Sequence, residues 1–158
     1  MKRHNLVQDI ITKLQTITIA NGYNSDFTNK VVSWKSDQIP ESTSMWVEVQ
    51  DASAEVPGEF TFPNVEFRLA INIVIFCASG ATTAENIRKA MDDIYRKLIN
   101  SRESFTTTYG RFSMKFTGDD MEVFEEDIVA GVGIVGCVFT FIELFTPAVP
   151  LPPEEPEE

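Results

Sequence analysis

Six carboxylates lie within nine consecutive positions in the second half of the chain, and divalent metal ions prefer oxygen ligands of this kind. The cluster consists of Asp119, Asp120, Glu122, Glu125, Glu126 and Asp127. It lacks the central glycine and the distal glutamate of a calcium-binding loop. The pattern therefore favours a solvated turn and edge strand over a metal site. A small metal-dependent enzyme that uses this acidic cluster is the alternative hypothesis from a different functional class.

The segment Gly131-Val-Gly-Ile-Val-Gly136 has the glycine spacing of a dinucleotide-binding loop. Such a loop follows a strand and opens a helix, so that phosphate meets the amides of the helix N-terminus. Here the sequence CVFTFIELF follows, and its aromatic and β-branched residues are typical of a strand. The pattern therefore predicts glycines inside a strand that another backbone or helix approaches closely.

No other residue set in the sequence forms a catalytic motif. Asp51 followed by Glu66-Phe67-Arg68 only loosely imitates a metal-dependent nuclease, in which lysine stands in the place of the arginine. His4 is the single histidine and has no partner nucleophile. Cys77 and Cys137 lie among apolar residues of predicted strands, so we expect both thiols to be buried and reduced, and a disulfide would require neighbouring strands. We expect no enzymatic activity, no metal and no cofactor.

The net charge of −11 is concentrated at one end of the chain. Residues 116–158 contain 11 of the 24 acidic side chains and none of the 13 lysines and arginines. Such a surface matches a nucleic-acid backbone poorly, because basic side chains must displace its counterions. It suits a basic protein partner or a surface that repels DNA. No apolar run reaches the length of a membrane span, and the opening residues lack the apolar region of a signal peptide.

The elements that position these residues follow from hydrophobic periodicity. Between Asn64 and Asn100, an alternating strand precedes an amphipathic helix, and Thr82 with Glu85 has the spacing of a capping box. The buried face of the strand is predicted to comprise Val65, Phe67, Leu69, Ile71, Ile73 and Ile75. The apolar stripe of the helix comprises Ile87, Ala90, Met91, Ile94, Tyr95 and Leu98, and Asp92 and Asp93 are placed on its polar side.

A second amphipathic helix is predicted over residues 4–20, and Asn21-Gly22 ends it with glycine as a left-handed cap. Further strands are predicted over residues 30–36, 45–51, 111–117, 121–125 and 128–145. Residues 101–110 read as a polar connection, and Gly118-Asp119-Asp120 reads as a turn. In the strand over 45–51, Trp46, Glu48 and Gln50 are expected to form a wet face. The last strand is apolar on nearly both faces, so we expect it to be central or covered by another subunit.

These elements predict an α+β fold, a mostly antiparallel mixed sheet with two amphipathic helices packed on one face. A single domain spans residues 1–145, and residues 146–158 form a Pro/Glu-rich extended C-terminal arm that cannot build a core. A hairpin around Pro57-Gly58 either projects as a contact surface or folds back onto the core. The interface candidates are Glu55, Phe60 and Phe62 at the hairpin, Asp119, Asp120, Glu125 and Glu126 in the acidic cluster, and Pro150 and Leu151 in the arm.

The order of these segments resembles the tail terminator proteins of tailed bacteriophages, which are also called minor tail or tail-completion proteins. The resemblance covers residues 1–145 and includes the segments NGYNSDFTNKVVSW, MWVEVQD, ATTAENIRKAMDDIYRKL and DIVAGVGIVGCVFTFIEL. It depends on the order and type of the segments and on the NGYN and ATTAENIR stretches, and it includes no catalytic signature.

The resemblance implies a virion protein of the tail or neck that assembles in the host cytoplasm. Such subunits form a ring, typically six-fold, on the head-proximal end of the tail tube. Its implied partners are further copies of itself, the tail tube protein and the head–tail connector, with DNA only as cargo in the lumen and no membrane. We expect the arm to reach an adjacent subunit or the connector. Another head–tail joining subunit of similar fold, or a monomeric binding domain, is an alternative.

Overall fold

The computed structural model describes residues 2–34, 44–57, 63–78, 82–124 and 129–145, with only the backbone of residues 129 and 130. Within them, a five-stranded mixed sheet carries three α-helices, which confirms the predicted α+β class. The helices are α1 (Lys2–Leu14), α2 (Thr83–Asn100) and α3 (Arg102–Tyr109). The strands are β1 (Val31–Ser33), β2 (Met45–Glu55), β3 (Asn64–Ala78), β4 (Phe112–Val123) and β5 (Val129–Leu144). None of these helices is both long and apolar enough to span a membrane.

The sheet has the order β1-β2-β3-β5-β4, and only the β1–β2 pair is parallel. β3 lies at its centre. Leu69, Ile71, Ile73 and Ile75 are fully buried on one face, as the strict alternation of its side chains predicts. β5 pairs with both β3 and β4 along nearly its whole length. β5 is thus an interior strand of the sheet, which is one of the two predicted alternatives.

The helices close the odd-numbered face of β3 and β5. The apolar side chains of α1 are buried and share one core with Val47, Leu69 and Ile71 of the sheet; they are Leu6, Val7, Ile10, Ile11 and Leu14. α1 ends at Leu14, earlier than predicted, and a short 3₁₀ helix (Ile19–Asn21) follows. Gly22 caps this 3₁₀ helix at a φ of 83°, in the left-handed conformation that the sequence predicts.

The prediction of a polar connection over residues 101–110 is wrong, because α3 occupies it. Phe105 and Tyr109 lie one helical turn apart and are buried, and the Phe105 ring contacts those of Phe112 and Phe139 at 5.5 and 6.0 Å between centroids. Three consecutive threonines between the two aromatic residues give the segment its polar appearance. The described residues therefore contain three α-helices where two were predicted.

The predicted turn at Gly118-Asp119-Asp120 is also wrong. β4 continues through it, and the strand register against β5 shifts between Phe116 and Gly118, where Gly118 has a φ of 133°. An irregularity of this kind adds a residue to one strand without ending the pairing. The glycine thus permits a bulge and not a reversal of the chain.

Two local predictions fail because a polar side chain finds a different partner. The Thr82 side chain makes no capping hydrogen bond to α2, and Glu85 instead forms an ion pair with Lys89 at 2.5 Å. The face of β2 that was expected to be wet is covered in part, since Trp46 and Glu48 are each only 7% exposed. Glu48 accepts hydrogen bonds from Trp46 Nε1 at 3.3 Å and from Gln50 Nε2 at 2.9 Å.

The predicted hairpin joins β2 to β3, which are antiparallel and stay paired as far as Glu55 and Arg68. β2 extends to Glu55, as the hairpin hypothesis requires. The hairpin tip with Phe60 and Phe62 lies outside the described residues, as do Glu125, Glu126 and the arm with Pro150 and Leu151.

Asp93 was placed on the polar side of α2, yet the structure buries it completely. Its carboxylate accepts hydrogen bonds from the backbone N–H groups of Asn24 and Ser25 at 2.9 and 2.8 Å, and from Asn24 Nδ2 at 3.2 Å. Arg96 lies 3.4 Å away on the same helix. A buried carboxylate is tolerated only with such partners, so Asp93 fastens the loop after α1 to α2.

We expect Asp93→Ala to lower the free energy of unfolding by about 2–4 kcal/mol, because it leaves the buried backbone N–H of Ser25 and the part-buried N–H of Asn24 without their acceptor. Urea denaturation followed by circular dichroism measures this loss. Asp92→Ala is the matched control, since Asp92 is the exposed neighbour on the same helix and its loss is expected to stay within about 0.5 kcal/mol. Equal losses for the two variants would contradict the proposed anchoring.

Candidate functional site

The three glycines of the dinucleotide-like motif lie inside β5, as predicted, and no helix begins after them. A Cβ atom added at Gly131 or Gly133 would lie 2.6 Å from a methyl group of Ile87 on α2. At Gly136 it would lie 2.5 Å from Thr117 Oγ1 on β4. The motif therefore lets a helix and a neighbouring side chain approach the sheet, and it presents no helix N-terminus to a phosphate.

We expect Gly133→Ala to destabilise the fold by about 1–3 kcal/mol, because the new methyl group overlaps Ile87. Ile87→Ala removes that overlap, so the double variant should lose less stability than the sum of the two single losses. Gly136→Ala is the control, since its obstacle is Thr117, and its loss should add to that of Ile87→Ala. Additive losses at Gly133 in urea denaturation would show that the close helix contact is not what requires this glycine.

The described part of the acidic cluster does not converge on one point. Asp119 faces the helices and accepts a 2.7 Å hydrogen bond from the hydroxyl of Tyr95. Burial, together with this bond, raises the pKa of Tyr95 to about 12. Asp120 and Glu122 register with Ile134 and Val132 of β5 and point to the opposite face of the sheet. Among the described residues no group of three or more potential metal ligands is present.

We expect millimolar Mg²⁺ or Ca²⁺ to leave the melting temperature unchanged relative to sodium chloride of matched ionic strength. The reason is that Asp119 points to the helices whereas Asp120 and Glu122 point to the other face, so the described carboxylates cannot together supply the six or more oxygens that Ca²⁺ takes. Differential scanning fluorimetry across a metal titration checks this. A saturable rise in melting temperature would instead support the metal-dependent enzyme.

The loosely nuclease-like residues do not meet. Asp51 registers with Ile71, whereas Glu66 lies five residues away along β3 and on its other face. Asp51 accepts hydrogen bonds from Arg3 Nε at 2.8 Å and Trp34 Nε1 at 2.9 Å. Burial opposes ionisation, but these bonds outweigh it and hold the pKa of Asp51 below its usual value. The carboxylate thus ties α1 to β2.

The two cysteines are free and buried, as predicted. Their strands are neighbours, but Cys77 registers with Gly131 and Cys137 registers with Ile71. Six residues along a strand separate the two thiols by about 20 Å, which excludes a disulfide between them. Burial raises the pKa of Cys137 to about 12 and also raises that of Cys77, so neither provides a reactive thiolate at neutral pH.

The second face of the sheet carries no helix within the described part of the chain. It consists of the even-numbered residues of β3 and β5 with their register partners on β2 and β4, and we call it the helix-free face. One half is apolar, with half-buried Phe76, Val132 and Ile134 in its centre. This half lies beside Asp120 and Glu122 of the edge strand.

The other half of the helix-free face forms a concavity of about 530 Å³, which we call the polar groove. One cross-strand row runs from Glu55 through Arg68 and Thr140 to Ser113, and Lys115 lies opposite Val138 in the next row. An adjoining concavity of about 410 Å³ adds Glu66 and Arg111. Within the described ranges, the cations Arg68, Arg111 and Lys115 have no carboxylate within ion-pair distance.

The structure separates the described interface candidates. Glu55 lies in the polar groove, whereas Asp120 lies in the apolar half, six residues away along β5, and Asp119 faces the helices. Arg68 and Lys115 cannot be recognised as a pair in the sequence, because 46 residues lie between them. Their only sequence signal is alternation, since each is a basic residue between two apolar neighbours of a predicted strand.

No protein-family model matches the chain, and a search of curated proteins found no match.

Proposed function

We propose that this chain is a structural subunit that assembles as a ring on the head-proximal end of a bacteriophage tail tube. In this role it stops polymerisation of the tube and provides a docking face for the head–tail connector. The observation that carries the proposal is the helix-free face, a long sheet surface with an apolar half, on a subunit of the fold class that the sequence resemblance implies. The arrangement suits a protein that functions through contacts with its neighbours.

The composition of β5 also indicates that a second layer covers this face in the assembled protein. β5 is apolar on both sides: its odd-numbered residues are buried under helices, and Val132, Ile134, Val138 and Ile142 are half-buried on the helix-free side. Strands with two apolar faces are typical of sheets that are covered on both sides. A neighbouring subunit would supply that cover in a ring.

The charge distribution supports passage of DNA through such a ring. Asp119, Asp120 and Glu122 are exposed on β4, the edge strand, and the segment from residue 116 onward has no lysine or arginine. Carboxylates repel the phosphate backbone, so a channel lined by them lets DNA slide without binding. Charge on an edge strand also discourages uncontrolled strand addition.

We expect static light scattering to show a closed oligomer, or a monomer that forms one on the ends of purified tail tubes and stops their growth. Ile134→Glu places a charge in the apolar half of the helix-free face. It should weaken the affinity between subunits at least about tenfold while the fold persists. Ile99→Glu is the matched control, because Ile99 is 56% exposed on α2 and lies away from this face.

A chain that remains monomeric and leaves tube length unchanged would contradict the terminator role. Loss of assembly in Ile99→Glu but not in Ile134→Glu would place the contact on the helical side instead. Binding to the connector without any effect on tube growth would favour another head–tail joining subunit.

A further inference from the structure

We propose that the polar groove binds the proline–glutamate arm, residues 146–158, of a second copy of this chain. The inference rests on the self-assembly proposed above and names the contact by which one subunit would hold the next. It concerns the half of the helix-free face that is not apolar.

Charge complementarity identifies the occupant. Arg68, Lys115 and Arg111 are exposed cations without a carboxylate partner within the described ranges, and Glu55 and Glu66 are the acidic residues of the same surface. The arm carries four glutamates and no basic residue in its last five positions. Cations outnumber acidic residues in the groove, so it attracts the glutamate carboxylates of the arm. Ser113 and Thr140 add hydroxyl donors.

The position and length of the arm fit the groove. β5 ends at Leu144, four residues beyond Thr140, and Phe145 still donates a backbone hydrogen bond to Pro63 at 2.9 Å. Thirteen residues follow, and in an extended conformation of about 3.1 Å per residue they span roughly 40 Å. The distance along β5 from Gly136 to Ile142 is about 20 Å, so the arm exceeds the length of the groove.

The prolines favour the groove of another copy over that of the same chain. The arm would have to reverse direction directly after Phe145 to reach its own groove. Pro147 biases the residue before it towards extended backbone, and the remaining four prolines stiffen the segment. A segment with this sequence preference for extended backbone would leave its own sheet if it continued in the direction of β5, and it would then meet a neighbouring copy.

The test is disulfide trapping between two full-length variants that are mixed under oxidising conditions. One carries Ser113→Cys in the groove, and the other, with a mass tag, carries Pro156→Cys, which leaves all four glutamates in place. A link between the two can form only between different chains. The native thiols are buried with raised pKa values and do not compete. Thr107→Cys on the exposed side of α3 replaces Ser113→Cys in the control.

At low salt, we expect the yield of tagged heterodimer to be about tenfold higher than with the Thr107→Cys control. At high salt, this excess should disappear. Arg68→Glu with Lys115→Glu in the groove partner should remove the excess, and Glu154→Lys with Glu155→Lys in the arm partner should restore it. Glu55→Gln should increase trapping, because it removes a repelling carboxylate. Denaturation curves of the groove variants verify that these exposed substitutions leave the fold intact.

Trapping equal to that of the control, or trapping that charge reversal leaves unchanged, overturns the inference. The proposed ring is tested separately by light scattering on the unmodified chain. A ring that forms without trapped heterodimer contradicts the arm contact and still supports the terminator role. Trapped heterodimer without a ring, and without any effect on tubes, supports the arm contact and contradicts the terminator role.

Discussion

The close contact of α2 with β5 is the constraint on which the rest of the structure depends. Gly131 and Gly133 leave no side chain between the strand and Ile87, so the helix lies directly on the sheet. Glycine inside a strand costs roughly 0.5–1 kcal/mol each, whereas full burial of a side chain such as Ile87, Ile94 or Leu98 contributes about 1.5–3 kcal/mol. The apolar burial outweighs the cost, and the helix position that results determines which other groups can meet.

Polar contacts from α2 then fix its neighbours. Asp93 holds the backbone of Asn24 and Ser25, and Tyr95 holds Asp119 on the edge strand. The desolvation of a buried carboxylate costs several kcal/mol. The hydrogen bonds that Asp93 accepts mainly offset this cost, and they contribute little net stability beyond it. The exposed ion pair of Glu85 with Lys89 contributes only a few tenths of a kcal/mol. Specific geometry therefore comes from the buried anchor, and stability comes from the core under the helices.

This one-sided core has a consequence for function. All three described α-helices close the odd-numbered face of the sheet, so the helix-free face is available to partners except around Trp46, Glu48 and Val74, which are already buried. Its two halves differ in chemistry: the apolar half suits burial against a neighbouring subunit, and the polar groove suits a charged, extended segment. The proposed ring and the proposed arm contact use these halves separately. Neither requires reactive groups.

Local patterns in the sequence by themselves determined the strands of the sheet, the amphipathic faces of α1 and α2, the buried thiols and the role of the glycines in β5. Burial imposes a period of two on a strand and 3.6 on a helix, and that period is visible in neighbouring residues. Only the tertiary structure decided that Asp93 is buried, that Asp119 and Asp120 serve opposite faces, that β4 continues through Gly118 and that Arg68 and Lys115 line one groove. A polar side chain takes whichever partner the fold brings to it, and for Asp93 that partner lies 69 residues away, beyond the range of any local pattern.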